Sequence, residues 1–295
     1  MRAALPAIGV FFLLSSEICA GTVHVVGTEN IPELMASSDL VCKGEVIEAP
    51  EPLFSAALEL PRRTATAIVR SDRCFKGQPP ANQFLPVLFD HVLPSGGTSG
   101  GRIFVVFRKG EYCLYFLKSE GDKYVLASDK TGRLPVSRNL ADDGGNNSDS
   151  MEMLEMDLKA GLTDSDHDRV LDSIRMLGNM RHLQSEAELI SLRDSQDMLV
   201  RTYVYEALLR LQNYSVLPAA VDWLLAQPAP PDAVLLPPEG SLFRMQYRLV
   251  WEIAGVRDPA YAPAMERLLE LPRNDMREKV LQGLHAIAVT EGRTP

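Results

Sequence analysis

The chain of 295 residues holds 39 Asp and Glu against 30 Lys and Arg, a formal net charge of −9. It has no Lys- or Arg-rich run, and that argues against a nucleic-acid partner, because neutralising phosphates requires a basic face. The length exceeds one ordinary domain and sets an expectation of about two.

From the N-terminus, residues 1–20 read as a secretory signal: Arg2, an apolar stretch from Ala3 to Leu14, then small residues around a cleavage point. The stretch is about a dozen residues, short of the roughly 20 that a helix needs to cross a bilayer. "SSEICAGTV" (15–23) contains Cys19, but a lipid-anchoring cysteine needs a small residue before it and an aliphatic one three before, where Ile18 and Ser16 stand. Cleavage after Ala20 is therefore expected, leaving Gly21 first, discarding Cys19 and placing the protein in the periplasm or outside the cell. This loses Arg2 and Glu17, so the charge is unchanged, and no second apolar span follows. Cys42, Cys74 and Cys113 remain, and the simplest arrangement is one bridge among them plus one buried thiol, with three pairings open.

Residues 21–138 are expected to form a small all-β domain. Within 37–137, "DLVCKGEVIEA", "TATAIVRSDRCFKG", "QFLPVLFDHVL", "IFVVF", "EYCLYFL" and "KYVLAS" are short runs rich in β-branched and aromatic residues, giving five to seven strands. "NLADDGGNNSDS" (139–150) has no apolar periodicity and reads as a linker. From Met151 to the end the period becomes helical, with at least seven helices between 151 and 290. Ser185 with Glu188 matches a capping box, Asp258 precedes Pro259 at a helix start, and Gly178 and Gly255 follow apolar stripes as stop signals.

The helices repeat. Val170, Ile174, Leu177 recurs as Val204, Leu208, Leu211, then Tyr247, Trp251, Ala254, then Val280, Leu284, Ile287, with first members 34, 43 and 33 residues apart. A second stripe, Val221, Leu224, Leu225, Pro228, returns 44 residues later as Met265, Leu268, Leu269, Pro272. Alternating stripes at such intervals predict stacked helical pairs. "PAPPDAVLLPPEG" (228–240), with five prolines, lengthens the middle interval and is expected to be a protruding loop.

"DMLVRTYVYEALLRL" (197–211), "DPAYAPAMERLLELP" (258–272) and "DMREKVLQGLHAI" (275–287) begin with Asp or Asp-Pro, and Arg201 and Arg277 stand early in their helices. In these features residues 151–295 resemble HEAT-like repeats, which implies an α-solenoid that binds other proteins. "SDLVCKGEVIEA", "RCFKGQ" and "GEYCLYFLKSEGDKYVLA" resemble the OB-type barrel of tissue inhibitors of metalloproteinases and netrin modules. The inhibitory chemistry of that family requires a mature N-terminal cysteine, and the expected first residue here is Gly21. The expected fold is thus an OB-like β-barrel followed by an α-solenoid of HEAT-like helical pairs.

No residue pattern implies a cofactor or a metal. "DSDHD" (164–168) groups carboxylates with His167, but an EF-hand would need Gly at Arg169 and a chelating Glu at Arg175, so helix capping is expected instead. His24, His91, His167, His182 and His285 show no zinc spacing. "SGGTSGG" (95–101) lacks the Lys-Ser/Thr of a phosphate loop and the strand-to-helix context of a dinucleotide fingerprint. Trp223, Phe243, Tyr247 and Trp251 stand at helical spacing, where aromatics are usually core and otherwise form a contact surface. Trp223, Phe243 and Tyr247 are nevertheless the candidates for protein contact, because Trp, Tyr and Arg favour binding hot spots.

The functional expectation is an exported, non-catalytic binding or scaffold protein with a protein partner on the helical array and a second ligand, such as an oligosaccharide, on the barrel. The alternatives are an exported hydrolase using a carboxylate pair such as Glu111 and Asp122, and a protease inhibitor of the metalloproteinase-inhibitor type, which Gly21 disfavours.

Overall fold

The computed structural model describes residues 30–51, 53–55, 64–90, 92–94, 106–128, 132–142, 149–181, 185–228, 241–290 and 292. The expected signal peptide with Cys19 and Gly21, the 95–101 glycine run, most of the 228–240 proline segment, and His24, His91 and His182 lie outside the described residues.

A short helix, α1 (Ile31–Ser37), comes first, started by the Asn30 side chain, which accepts from the Glu33 amide, with Pro32 in the first turn. The strands follow as β1 (Leu40–Glu48), β2 (Leu53–Ser55), β3 (Thr64–Lys76), β4 (Phe84–Asp90), β5 (Val92–Pro94), β6 (Tyr112–Glu120), β7 (Lys123–Leu126) and β8 (Arg133–Pro135). β1, β3, β4, β7 and β6 pair in that order, and β6 returns to β1, closing a five-stranded barrel. The β4–β7 pairing is parallel and the others in the ring are antiparallel. β8 adds to the free edge of β6, and β2 pairs with β5 in a separate two-stranded sheet.

β6 shows how the barrel is joined to the rest. Successive strand residues point to opposite faces. Cys113, Tyr115 and Leu117 enter the barrel interior with Val46, Val69, Leu85, Val87 and Phe107. Tyr112, Leu114 and Phe116 point the other way, into an apolar cluster shared with α1 and the helices that follow. A strand buried on both faces is apolar throughout, which is why "YCLYFL" lacks alternation.

The disulfide joins Cys42 of β1 to Cys74 of β3, paired directly across the ladder with Cα atoms 4.0 Å apart. Cys113 is left as a buried thiol inside the barrel. Burial pushes its pKa up, so it stays protonated and unreactive.

The helices are α2 (Ser150–Ala160), α3 (His167–Asn179), α4 (Glu186–Ser191), α5 (Met198–Arg210), α6 (Leu217–Leu225), α7 (Leu242–Gly255), α8 (Ala262–Glu266) and α9 (Asn274–Thr290). α3 packs on α5, α5 on α7 and α7 on α9, while α2, α4, α6 and α8 lie beside them and α6 meets α8. Asp149, Asp166, Asp197, Ser241 and Asp258 each accept an amide of the first turn they precede, as residues of these types do. "DSDHD" therefore starts α3, with Asp164 also accepting the Ser137 hydroxyl from the barrel side.

Several sequence signals resolve differently. Ser185 stands before α4 but makes no cap; its hydroxyl donates to the buried Glu155 of α2 at 2.6 Å, and Glu188 pairs with Lys159. Gly178 lies inside α3 rather than after it, where a Cβ would sit 2.6 Å from the Ala207 Cα of α5. Gly283 of α9 approaches Ala254 of α7 in the same way, with the Ala254 carbonyl oxygen 2.7 Å from the position of a Cβ. These glycines let neighbouring helices come close. The stripe on α7 is also out of phase: Leu249, Val250 and Ile253 are fully buried, whereas Trp251 is 47% exposed. α7 packs against both α5 and α9, so its apolar arc is broad and an i, i+4, i+7 pattern does not select its centre.

The second stripe keeps its burial on both occurrences, with Val221 and Leu224 of α6 matched by Met265 and Leu268 in and after α8. One apolar cluster continues from α1 and the outer face of the barrel through α2 to α9. At that junction Asp157 of α2 is completely buried. Its Oδ1 accepts from Arg73 Nη1 at 2.7 Å and the Ala141 amide at 2.9 Å, and its Oδ2 lies 3.3 Å from Lys43 Nζ. Lys43, itself 1% exposed, also donates to the Asn139 carbonyl at 2.8 Å. One carboxylate thus holds two barrel strands and the connecting segment.

Candidate functional site

The row α3, α5, α7, α9 presents the most organised polar and aromatic surface among the described residues. α5 carries Glu206 and Arg210, one turn apart, and α7 carries Arg248 and Glu252 in the opposite order. Arg248 Nη2 donates to Glu206 Oε2 at 2.6 Å, and Arg210 Nε donates to Glu252 Oε1 at 2.9 Å. Both pairs are 42 residues apart, so α5 and α7 run parallel. Arg210 Nη1 extends the chain to Asn179 Oδ1 of α3 at 3.0 Å, and Arg248 Nη1 donates to the Tyr203 hydroxyl at 2.9 Å. Burial pushes the Glu206 carboxyl above its ordinary value, although Arg248 and Arg210 oppose this. Charges this deep are held in place by their mutual partners, so the ladder fixes helix register more than it adds stability.

Beside the ladder, Phe243, Tyr247 and Trp251 occupy i, i+4 and i+8 of α7, with ring centroids 6.0 and 5.8 Å apart. Arg273 stands 4.3 Å from the Phe243 ring centre, and Lys279 Nζ of α9 stands 3.6 Å from that of Trp251. The α7–α9 pairs Phe243–Arg273, Trp251–Lys279 and Ala254–Gly283 keep a nearly constant sequence separation, so these helices are also parallel. The aromatic strip runs from buried Phe243 through half-buried Tyr247 to half-exposed Trp251. Of the residues expected to make protein contacts, Phe243 and Tyr247 are brought together here, and Trp223 is buried on α6. Trp251 is the exposed member of the strip, and helical phase alone did not reveal it.

At the other end of the row, Asp172 of α3 pairs with Arg169 at 3.2 Å and Arg175 at 3.0 Å. Burial raises its carboxyl to about 6, against the pull of the two arginines. The neutral acid is then favoured by folding, so the contribution to stability is complete below pH about 4 and is lost as the pH rises through about 6. The Asp172 side chain is 17% exposed, and a shift of this size corresponds to about 2–3 kcal/mol. In pH-dependent urea unfolding, wild type is expected to lose stability relative to Asp172→Asn between pH 4 and 7. Parallel curves for the two proteins would show that Asp172 does not titrate in this window. Asp164, Asp197 and Asp275 are held below the ordinary carboxylate value, so their contributions fade only at lower pH.

His167 Nε2 lies 2.8 Å from Asp197 Oδ2, linking the starts of α3 and α5, and His285 is exposed on α9. Among the described residues, no group of three or more His, Cys, Asp or Glu side chains is placed to hold a metal ion. Glu111 pairs with Arg133 at 2.6 Å, whereas Asp122 lies in the β6–β7 turn. Among the described residues no helix is long and apolar enough to cross a membrane.

No protein-family model matches the chain, and no curated protein sequence does. Among solved structures it is similar to "Crystal Structure of Engineered Protein. Northeast Structural Genomics Consortium Target OR329", with a TM-score of 0.30 and 14% identity, covering 48% of this chain and 66% of that one. A likeness of that size carries no argument about family or activity.

Proposed function

We propose that the chain is an exported, non-catalytic binding protein whose HEAT-like array holds a protein partner on the surface made by α5, α7 and α9. The observation that carries this reading is Trp251, a large aromatic left 47% exposed beside an ordered aromatic strip. Trp, Tyr and Arg are the residue types enriched among the hot spots of protein interfaces. The array reading is supported by the parallel row α3, α5, α7, α9 and by the matched burial of the α6 and α8 stripes. The five-stranded closure supports an OB-type barrel, whose open face or loops are the place for a second ligand of oligosaccharide type. Export is supported by the N-terminal pattern and by the Cys42–Cys74 bridge, which suits an oxidising compartment. The division into a barrel (21–138), a linker (139–150) and an array (151–295) belongs to the same reading.

Full-length protein used to capture partners from the cell envelope or medium provides the test. Trp251→Ala is expected to weaken the captured complex by at least about tenfold, with little change in thermal midpoint because the ring is half in water. Capture unaffected by this change would count against the surface.

A further inference from the structure

Resting on that reading of the array, we propose that its partner presents an acidic segment anchored by an apolar side chain. The apolar anchor lies on Tyr247 and Trp251, and the flanking carboxylates meet Arg244 and Lys279.

Arg244, Tyr247 and Trp251 are spaced i, i+3 and i+7, so they share one face of α7. Lys279 joins them from α9 with its ammonium 3.6 Å from the centre of the Trp251 ring. Arg244 and Lys279 are, like Tyr247, half-buried, with part of each residue in contact with solvent. Most cations of the row already have partners: Arg210 is held by Glu252, Arg248 by Glu206 and Arg273 by Asp275. Among the described residues no carboxylate is paired with Arg244 or Lys279, in a chain whose formal net charge is −9. Arg244, and Lys279 whose ammonium rests on the Trp251 ring instead of on a carboxylate, are two cations without an acidic partner on an otherwise acidic protein, and they complement carboxylates on either side of an apolar residue. Opposite charges placed at such a rim set specificity and the rate of encounter, and the desolvated aromatic contact sets the lifetime of the complex. A polyanion without apolar groups would use the two cations and leave the aromatic strip uncovered.

The test is selection of a random library of peptides of about 12 residues on the immobilised full-length protein, read against three variants: Trp251→Ala, Arg244→Glu/Lys279→Glu, and Arg244→Gln/Lys279→Gln. Enriched peptides are expected to place Asp or Glu within a few positions of Leu, Phe or Trp. Their affinity should fall about tenfold or more with Trp251→Ala and with the Gln pair, and further with the Glu pair, while the folded fraction of each variant stays unchanged by circular dichroism. Peptides selected directly on the Glu pair should be basic instead. Enrichment of uncharged or basic peptides on wild type, lost with Trp251→Ala, would overturn the acidic preference and leave the binding surface standing. Enriched peptides indifferent to all three variants, or no enrichment, would overturn both. Binding of a heparin fragment that depends on Arg244 and Lys279 but not on Trp251 would replace the acidic segment with a simple polyanion.

Discussion

Asp157→Ala is expected to be among the most damaging single substitutions in the protein, lowering stability by about 3–5 kcal/mol. The carboxylate is fully buried, accepts from Arg73 and the Ala141 amide, and forms an ion pair with the Lys43 ammonium at 3.3 Å. Removing it strands a Lys43 that is 1% exposed, whose pKa burial already lowers and only Asp157 and lesser partners raise. A domain is typically stable by only about 5–15 kcal/mol, so the loss is a large share of the total. The double change Lys43→Met/Asp157→Leu removes the buried Lys43 charge together with Asp157 and leaves Arg73, which is 16% exposed and still donates to the Ala141 carbonyl, so it is expected to cost less than Asp157→Ala. Urea unfolding of the two variants checks this. Equal destabilisation by the single and double changes would show that the ion pair is not what the junction depends on.

The disulfide is the second large contributor. Cys42 and Cys74 are 32 residues apart, and closing a loop of that length removes unfolded-state entropy worth about 3–4 kcal/mol. Cys42→Ala/Cys74→Ala is expected to lower the unfolding midpoint strongly and to abolish its dependence on reductant. Cys113→Ala should leave the reductant dependence intact, since that thiol is outside the bridge. Reductant sensitivity that disappears with Cys113→Ala would contradict the pairing.

The barrel strands are legible because their runs are bounded by Gly, Pro and turn residues: β1, β3, β4 and β7 fall within runs that read as strands, and β6 starts in one and extends three residues past its end. α1 carries its start signal in Asn30 and Pro32 but is too short for periodicity to mark it. β2 and β8, three residues each, are too short for alternation to mark them. Which cysteines pair depends on the β1–β3 register, and register is a matter of long-range pairing that no local pattern carries.

The candidate surface is legible only in part. Phe243 and Tyr247 stand out by residue type, but the exposure of Trp251 follows from how α7 is wedged between α5 and α9. A subtler signal was present: Glu206 and Arg210 are answered 42 residues on by Arg248 and Glu252 in reversed order. Complementary charges at one repeat offset indicate parallel neighbouring helices. The Asp157 junction has no such signal, because its members come from two strands, a helix and the segment between β8 and α2, which meet only in the folded protein.

Hydrogen exchange on the full-length protein, alone and with its captured partner, tests the binding surface most directly. The expected result is added protection across residues 198–210, 242–255 and 274–290, strongest on α7 around Trp251, with the barrel strands unchanged. Protection confined to β1, β3, β4, β6 and β7 would move the binding site to the barrel and contradict the role proposed for the helical row.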